Sequence, residues 1–174
     1  MTDIKDIKAF CFDVDGVFTN GGVLCDLHGE LYRTYDAKDG FALRMASMNG
    51  YHLGIITGGR SKSIVARFLT SGINEADIYL GSRNKEEELM DFCKAHDLKP
   101  SDVLFIGDDL PDLTIFNVCG VSACPSDAVN EVIEAADIVS SRPGGHGCIR
   151  EILEMVMKAQ GKWSFDVGLY KKLF

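Results

Sequence analysis

Four short apolar runs in this chain each end in a turn that carries glycine or aspartate. Ile7 to Val14, His52 to Ile56, Ala76 to Leu80 and Val103 to Ile106 lead into Asp15-Gly16, Thr57-Gly58-Gly59, Gly81 and Gly107-Asp108-Asp109. Runs of this length that are apolar throughout predict strands buried on both faces. Between them the apolar positions recur at helical spacing. This predicts helices over Gly40 to Met48, over Ser61 to Thr70 behind a serine cap, and over the charged stretch Lys85 to His96. Further helices are expected over Leu110 to Phe116, Asp127 to Ala135 and Cys148 to Lys158, with short strands at Val121-Ser122 and Asp137 to Val139. Strand and helix alternating in this way imply right-handed βαβ units, so the expected class is α/β with a doubly wound parallel sheet.

One stretch departs from the alternation. Residues 21–35 have strand propensity on both sides of His28-Gly29, and predict a β-hairpin flap directly after the first strand. The last stretch, about 161–174, holds Trp163, Phe165, Tyr170 and Phe174, more aromatic surface than a solvated terminus needs, so it is expected to dock. With 174 residues, 46% of them hydrophobic, the expectation is one domain over 1–174.

Charge and cysteine usage remove several classes of function. A net charge of −8 argues against a nucleic-acid partner, whose phosphates are met by Lys and Arg. The charged start, Met1 to Lys5, leads into an apolar run too short for a signal peptide or a membrane span, so a cytoplasmic protein with no membrane contact is expected. The six cysteines form no CxxC pair and the four histidines show no paired spacing, which leaves reduced thiols and no zinc site.

In a parallel sheet, residues just beyond the carboxyl ends of the strands converge however far apart they are in sequence. Asp13, Asp15, Thr57, Lys85, Asp108, Asp109 and Asp112 all lie there. Carboxylates crowded together repel one another and resist desolvation, so the set calls for a cation. Oxygen-only ligation selects a hard ion, and magnesium (Mg2+) suits a phosphate site, with Asp13 and Asp108 as ligands and Asp15 contributing its backbone carbonyl. Phosphoryl transfer then has a residue for each role. Asp13 is the candidate nucleophile and Asp15 the candidate proton donor and acceptor. Thr57 and the amides around Gly58 are candidates to hold phosphate oxygens, and Lys85 to supply positive charge. Taken singly, a DxDG turn, a TGG turn or a lysine at a helix start is more often structural; the combination at strand ends is what points to chemistry.

Asp13-Val14-Asp15-Gly16-Val17-Phe18-Thr19, Thr57-Gly58-Gly59, Lys85 and Gly107-Asp108-Asp109-Leu110-Pro111-Asp112 resemble, in order, the four motifs of the haloacid-dehalogenase-like phosphatases. The resemblance spans nearly the whole chain. It implies a Rossmann-like core, magnesium and an aspartyl-phosphate intermediate, with Asp108 as a metal ligand and Asp109 and Asp112 supporting its loop. Both positions where that family inserts cap domains are short here, so no cap is expected. The DGVxT run, Lys38-Asp39-Gly40 and the loop Pro143 to Gly147 are similar to the capless members that hydrolyse 3-deoxy-D-manno-octulosonate 8-phosphate, a sugar-acid phosphate, on the way to bacterial lipopolysaccharide.

Those members are homotetramers in which hairpins and tails of neighbouring subunits close the pocket, and the hairpin and aromatic tail here fit that scheme. By the same resemblance Asp36, Ala37, Lys38, Asp39, Gly40, Arg44, Arg60, Arg67, Gly58 and Gly59 line up with substrate-contacting positions, together with Asp15 and Lys85. For Arg44 and Arg67 the fork of the guanidinium matches a sugar acid's carboxylate and phosphate, the alternative for each being a solvated helix charge. Gly59 and His146 stand where many relatives carry Arg, and Arg60 adjoins the first of these positions. Two other readings belong to the same resemblance: a nonulosonate 9-phosphate phosphatase, and a non-catalytic assembly module like those attached to cytidylyltransferases.

Overall fold

The computed structural model describes residues 2–174. Its centre is a six-stranded sheet built from β1 (Ala9–Phe12), β4 (His52–Thr57), β5 (Ile78–Leu80), β6 (Val103–Ile106), β7 (Val121–Cys124) and β8 (Ile138–Val139). They run in the order β5-β4-β1-β6-β7-β8 and every pairing is parallel. All four residues of β1 and of β6 are buried, as a strand covered on both faces requires.

Alternation along β1 assigns its faces. Phe10 and Phe12 enter the larger core with Leu43 and Ala46 of α1 (Ala37–Met48), Ile64 and Phe68 of α2 (Lys62–Leu69), and Ile152 and Val156 of α6 (Cys148–Ala159). Ala9 and Cys11 point the other way, toward Leu89 and Phe92 of α3 (Lys85–Ala95) and Ile115 of α4 (Leu113–Phe116). Each fully buried Phe contributes about 1.5–3 kcal/mol of transfer free energy. The helix α5 (Asn130–Ala135) covers β7 through Val132 in a third, smaller cluster.

The hairpin forms as a separate two-stranded antiparallel ribbon, β2 (Leu24–Cys25) with β3 (Leu31–Tyr32). Asp26 builds its turn, one carboxylate oxygen accepting the amides of His28 (2.8 Å) and Glu30 (3.0 Å). Leu24 and Leu27 stand in solvent. Among the described residues no inserted domain covers the carboxyl ends of the sheet, and no helix is long and apolar enough to cross a membrane.

The tail differs in detail from the sequence expectation. Residues Val167–Leu173 form a further helix, α7, too short to be marked by periodicity. It lies against α1 of its own chain: Phe41 packs on Phe165 and Tyr170, and Arg44 sits over the Tyr170 and Phe174 rings.

Candidate active site

The order of connection reverses between β1 and β6, the two strands from which later strands are added toward opposite edges, and this is where a parallel sheet opens a crevice at its carboxyl end. Asp13 follows β1 and Asp108 follows β6, so the two carboxylates face each other across the crevice. Gly16 allows the approach. Its φ of +89° is a left-handed value that glycine adopts freely, and a side chain there would run into the Asp108 carboxylate. The resulting cleft, about 350 Å³, is lined by Asp13, Asp15, Thr57, Gly58, Gly59, Lys85, Asp108, Asp109 and Asp112, with Ser82, Arg83 and Asn84 at one side.

Lys85 is the first residue of α3, a position where the helix dipole disfavours positive charge. Two carboxylates offset this. Its ammonium donates to Asp112 Oδ1 at 2.6 Å and lies 3.1 Å from Asp13 Oδ1, the second an ion pair without hydrogen-bond angles. Burial would lower the Lys85 pKa, but Asp13 and Asp112 together raise it above its ordinary value. Asp112 is fully buried with both oxygens engaged, since its Oδ2 also accepts the amides of Asp108 (2.9 Å) and Asp109 (3.1 Å).

Asp13 Oδ1 and Asp108 Oδ1 are buried with no hydrogen-bond partner. Burial first and neighbouring carboxylates second push Asp108 up to about 8; for Asp13, burial and Asp112 give about 6. Oxygens of Asp13, Asp108 and Asp112 lie within 4.8 Å of one another. Two orphaned carboxylate oxygens in an all-oxygen donor set fit a hard divalent cation. Asp112, both of whose oxygens already accept hydrogen bonds, fits the supporting role.

Thr57 ends β4, and its Oγ1 accepts the amide of Gly59 at 3.2 Å, which leaves the hydroxyl proton free to donate. Asp15 lies one turn beyond β1, partly exposed in the cleft. Both its oxygens are taken by one guanidinium, Arg33 Nε to Oδ1 at 2.6 Å and Nη2 to Oδ2 at 3.0 Å. Sequence reading did not single out Arg33. The signal was present in strand alternation, since Leu31, Arg33 and Tyr35 share the half-buried side of the hairpin while Tyr32 and Thr34 are exposed.

The other expected substrate residues lie outside the cleft of their own chain. Arg60 turns toward Gly81 and lines a separate recess with Glu30, Leu31 and Lys62. Ala37, Gly40, Arg44 and Arg67 line a shallow hollow where α1 meets α2. There Arg44 donates to Thr70 O (2.8 Å) and the Tyr170 hydroxyl (2.5 Å), and Arg67 covers the Tyr35 ring. Asp36 and Lys38 border a third recess with His146 and Arg150. Asp39, expected at the substrate, is instead fully buried. Its oxygens accept the amides of Gly147 (3.2 Å) and Arg150 (2.8 Å) at the start of α6, a fold-building role that no short motif reveals.

Residues 56–152 match the family model of haloacid dehalogenase-like hydrolases. The 3-deoxy-D-manno-octulosonate 8-phosphate phosphatase of Salmonella typhi is 33% identical over 162 residues, 93% of this chain and 85% of the relative. The cobalt-bound deoxy-D-mannose-octulosonate 8-phosphate phosphatase of Haemophilus influenzae superposes with a TM-score of 0.89 at 33% identity, over 97% of this chain and 98% of that one. The Moraxella catarrhalis 3-deoxy-D-manno-octulosonate 8-phosphate phosphatase, solved with magnesium, phosphate and KDO, gives a TM-score of 0.88 at 30% identity, over 92% and 91% of the two chains.

Proposed function

The chain belongs to the haloacid dehalogenase-like hydrolases, and we propose that it is a magnesium-dependent phosphatase that hydrolyses 3-deoxy-D-manno-octulosonate 8-phosphate to the free sugar acid and phosphate. The observation that carries this reading is the pair of orphaned oxygens on Asp13 and Asp108 beside the buried Lys85 ammonium, at the point where the sheet opens. The relatives' substrate and the magnesium in one of them support the choice of ester and ion.

Asp13 and Asp108, with the Asp15 carbonyl, would hold Mg2+, whose charge offsets that of the carboxylates and the incoming phosphate. The Asp13 carboxylate attacks phosphorus in line with the sugar oxygen, forming an acyl phosphate as the ester P–O bond breaks. Asp15 gives its proton to the departing sugar oxygen. It then takes a proton from water, whose oxygen attacks the phosphorus and releases phosphate from Asp13. The Thr57 hydroxyl, the Gly58 amide and Lys85 stabilise charge on the equatorial oxygens during both transfers.

The cleft is open on its outer side, and transfer requires exclusion of water. In this reading a homotetramer closes it. The apolar residues Leu24, Leu27 and Tyr32, exposed on the hairpin, favour such contact, and Asp36, Lys38 and Arg67 are then proposed to serve a neighbour's cleft, whereas Arg44 is engaged by Thr70 O and the Tyr170 hydroxyl within its own chain. The six free thiols, four of them buried, fit a reducing cytoplasm.

The test is phosphate release over a panel of sugar phosphates with and without magnesium. The eight-carbon ester should be turned over most efficiently and chelation should abolish release; a higher kcat/KM on a nonulosonate 9-phosphate overturns the choice of sugar. Asp13→Asn should leave no measurable turnover, and retention of activity in that variant refutes the covalent mechanism.

A further inference from the structure

The hairpin reaches the catalytic machinery through one side chain. Arg33, just past β3, has only 2% of its side chain exposed, although it carries a permanent positive charge. It does not line the cleft. It stands behind Asp15, and both its Nε and its Nη2 donate to that carboxylate, while Nη1 approaches Leu31 O at 3.5 Å within its own ribbon. The same Nη2 also lies beside Gly59. A Cβ at that position would lie 3.4 Å from Nη2 and 3.5 Å from Thr57 Oγ1, so the guanidinium is wedged between the proton-transfer residue and the loop proposed to hold phosphate. No other side chain donates a hydrogen bond to the Asp15 carboxylate among the described residues.

We propose that Arg33 is the positioning residue of Asp15, and that the hairpin is through it a working part of the catalytic site. The inference rests on the reading of Asp15 as the group that protonates the leaving oxygen. Asp15 hangs from a turn and can rotate about two bonds. A planar fork engaging both oxygens fixes the plane of the carboxyl group and occupies its inner edge, so that the lone pairs left for proton transfer face the cleft. An ammonium at position 33 would supply the same charge without the fork. Misplacement of a catalytic group by about 1 Å costs on the order of 10²-fold in rate.

The experiment compares kcat/KM for two phosphate monoesters, which reports the first transfer step. One is the sugar-acid 8-phosphate, whose alkoxide leaving group needs the proton; the other is p-nitrophenyl phosphate, whose phenolate leaves without one. Asp15→Asn calibrates the comparison and should depress the alkyl ester far more than the aryl ester. Arg33→Ala and Arg33→Gln should reproduce that selectivity, losing roughly 30-fold or more on the alkyl ester and less than about 3-fold on the aryl ester. Arg33→Lys should remain selectively impaired, because charge without the fork does not orient the carboxyl group. Adding Arg33→Gln to Asp15→Asn should cost nothing further on either ester.

Equal losses on both esters in Arg33→Gln, or an undiminished second loss in the double variant, would mean that Arg33 only holds the hairpin in place, and would overturn the proposal while leaving Asp15 as the proton donor. If Asp15→Asn itself shows no preference between esters, the assignment of Asp15 fails, and the role of Arg33 fails with it. Arg33→Gln keeps the side chain's length, so the comparison survives even if Arg33→Ala loosens the ribbon.

Discussion

Lys85 breaks a local rule, a cation at the head of a helix, and the conflict is settled by the carboxylates that face it. Asp13 and Asp112 both lie within 3.1 Å of its ammonium in a nearly closed environment. Removing one partner of such a cluster exposes the others to uncompensated charge. Lys85→Ala is therefore expected to lower kcat for magnesium-dependent phosphate release by ~10²-fold or more, as loss of one transition-state donor does elsewhere; steady-state kinetics on the eight-carbon ester measures it. Gly16 is the second residue whose identity the geometry demands. At φ +89° any side chain is strained, and a methyl group would occupy the space of the Asp108 carboxylate. Gly16→Ala should cost about 1–3 kcal/mol of stability and weaken magnesium binding, seen by calorimetric titration of the ion without substrate. Of these residues, Asp13, Asp15, Thr57, Lys85 and Asp108 were legible from their places after apolar runs. Arg33 was not, because its partner lies 18 positions earlier and nothing local marks the pair.

At the scale of elements, α1 and α6 are tied together by a buried carboxylate. The N-cap of α6 is Gly147, which has no side chain to cap the helix. Asp39 of α1 does that work from another element, accepting the amides of Gly147 and Arg150. Asp39→Ala would leave those two donors without partners in the interior, at a cost of about 2–4 kcal/mol in chemical denaturation. Burial, more than any neighbour, raises the Asp39 pKa from 3.8 to about 6. The folded chain thus holds this proton more tightly than the unfolded one. The stabilisation it confers is complete below about pH 4 and lost as pH rises through about 6. The stability of the wild type relative to Asp39→Asn should accordingly decline between pH 4 and 6 and level off above, measured by urea unfolding across that range. Lys38-Asp39-Gly40 was visible as a motif, but its middle residue acts on a helix 108 positions later, and only packing shows it.

At the scale of the whole molecule, the cleft is open on its outer side. The sheet presents its carboxyl end with no domain above it among the described residues, and the hairpin beside it exposes Leu24 and Leu27. Leaving both in water would be unfavourable by about 3–6 kcal/mol relative to full burial. If the proposed homotetramer forms, sedimentation should show it, and Leu24→Asp combined with Leu27→Asp should dissociate it while far-UV circular dichroism stays unchanged. A monomeric wild type would remove the basis for assembly. The tail packs on α1 of its own chain and covers Arg44. Its docking was expected from its aromatic content; the surface that receives it follows from α1 and α2 lying side by side.

The sequence by itself determined the order of strands and helices, the parallel sheet and the acidic residues at its carboxyl end, because burial on two faces and turn chemistry act over a few neighbouring positions. It also carried the hairpin, whose turn is built by Asp26 on its own nearest amides. The tertiary structure alone decided which of the polar residues share a cleft. It set Arg33 against Asp15, buried Asp39 under α6, and directed Arg44, Arg60 and Arg67 to other surfaces. The reason is physical: a charged side chain several bonds long takes the partner that desolvation and geometry offer it, and that partner is fixed only when distant elements have packed.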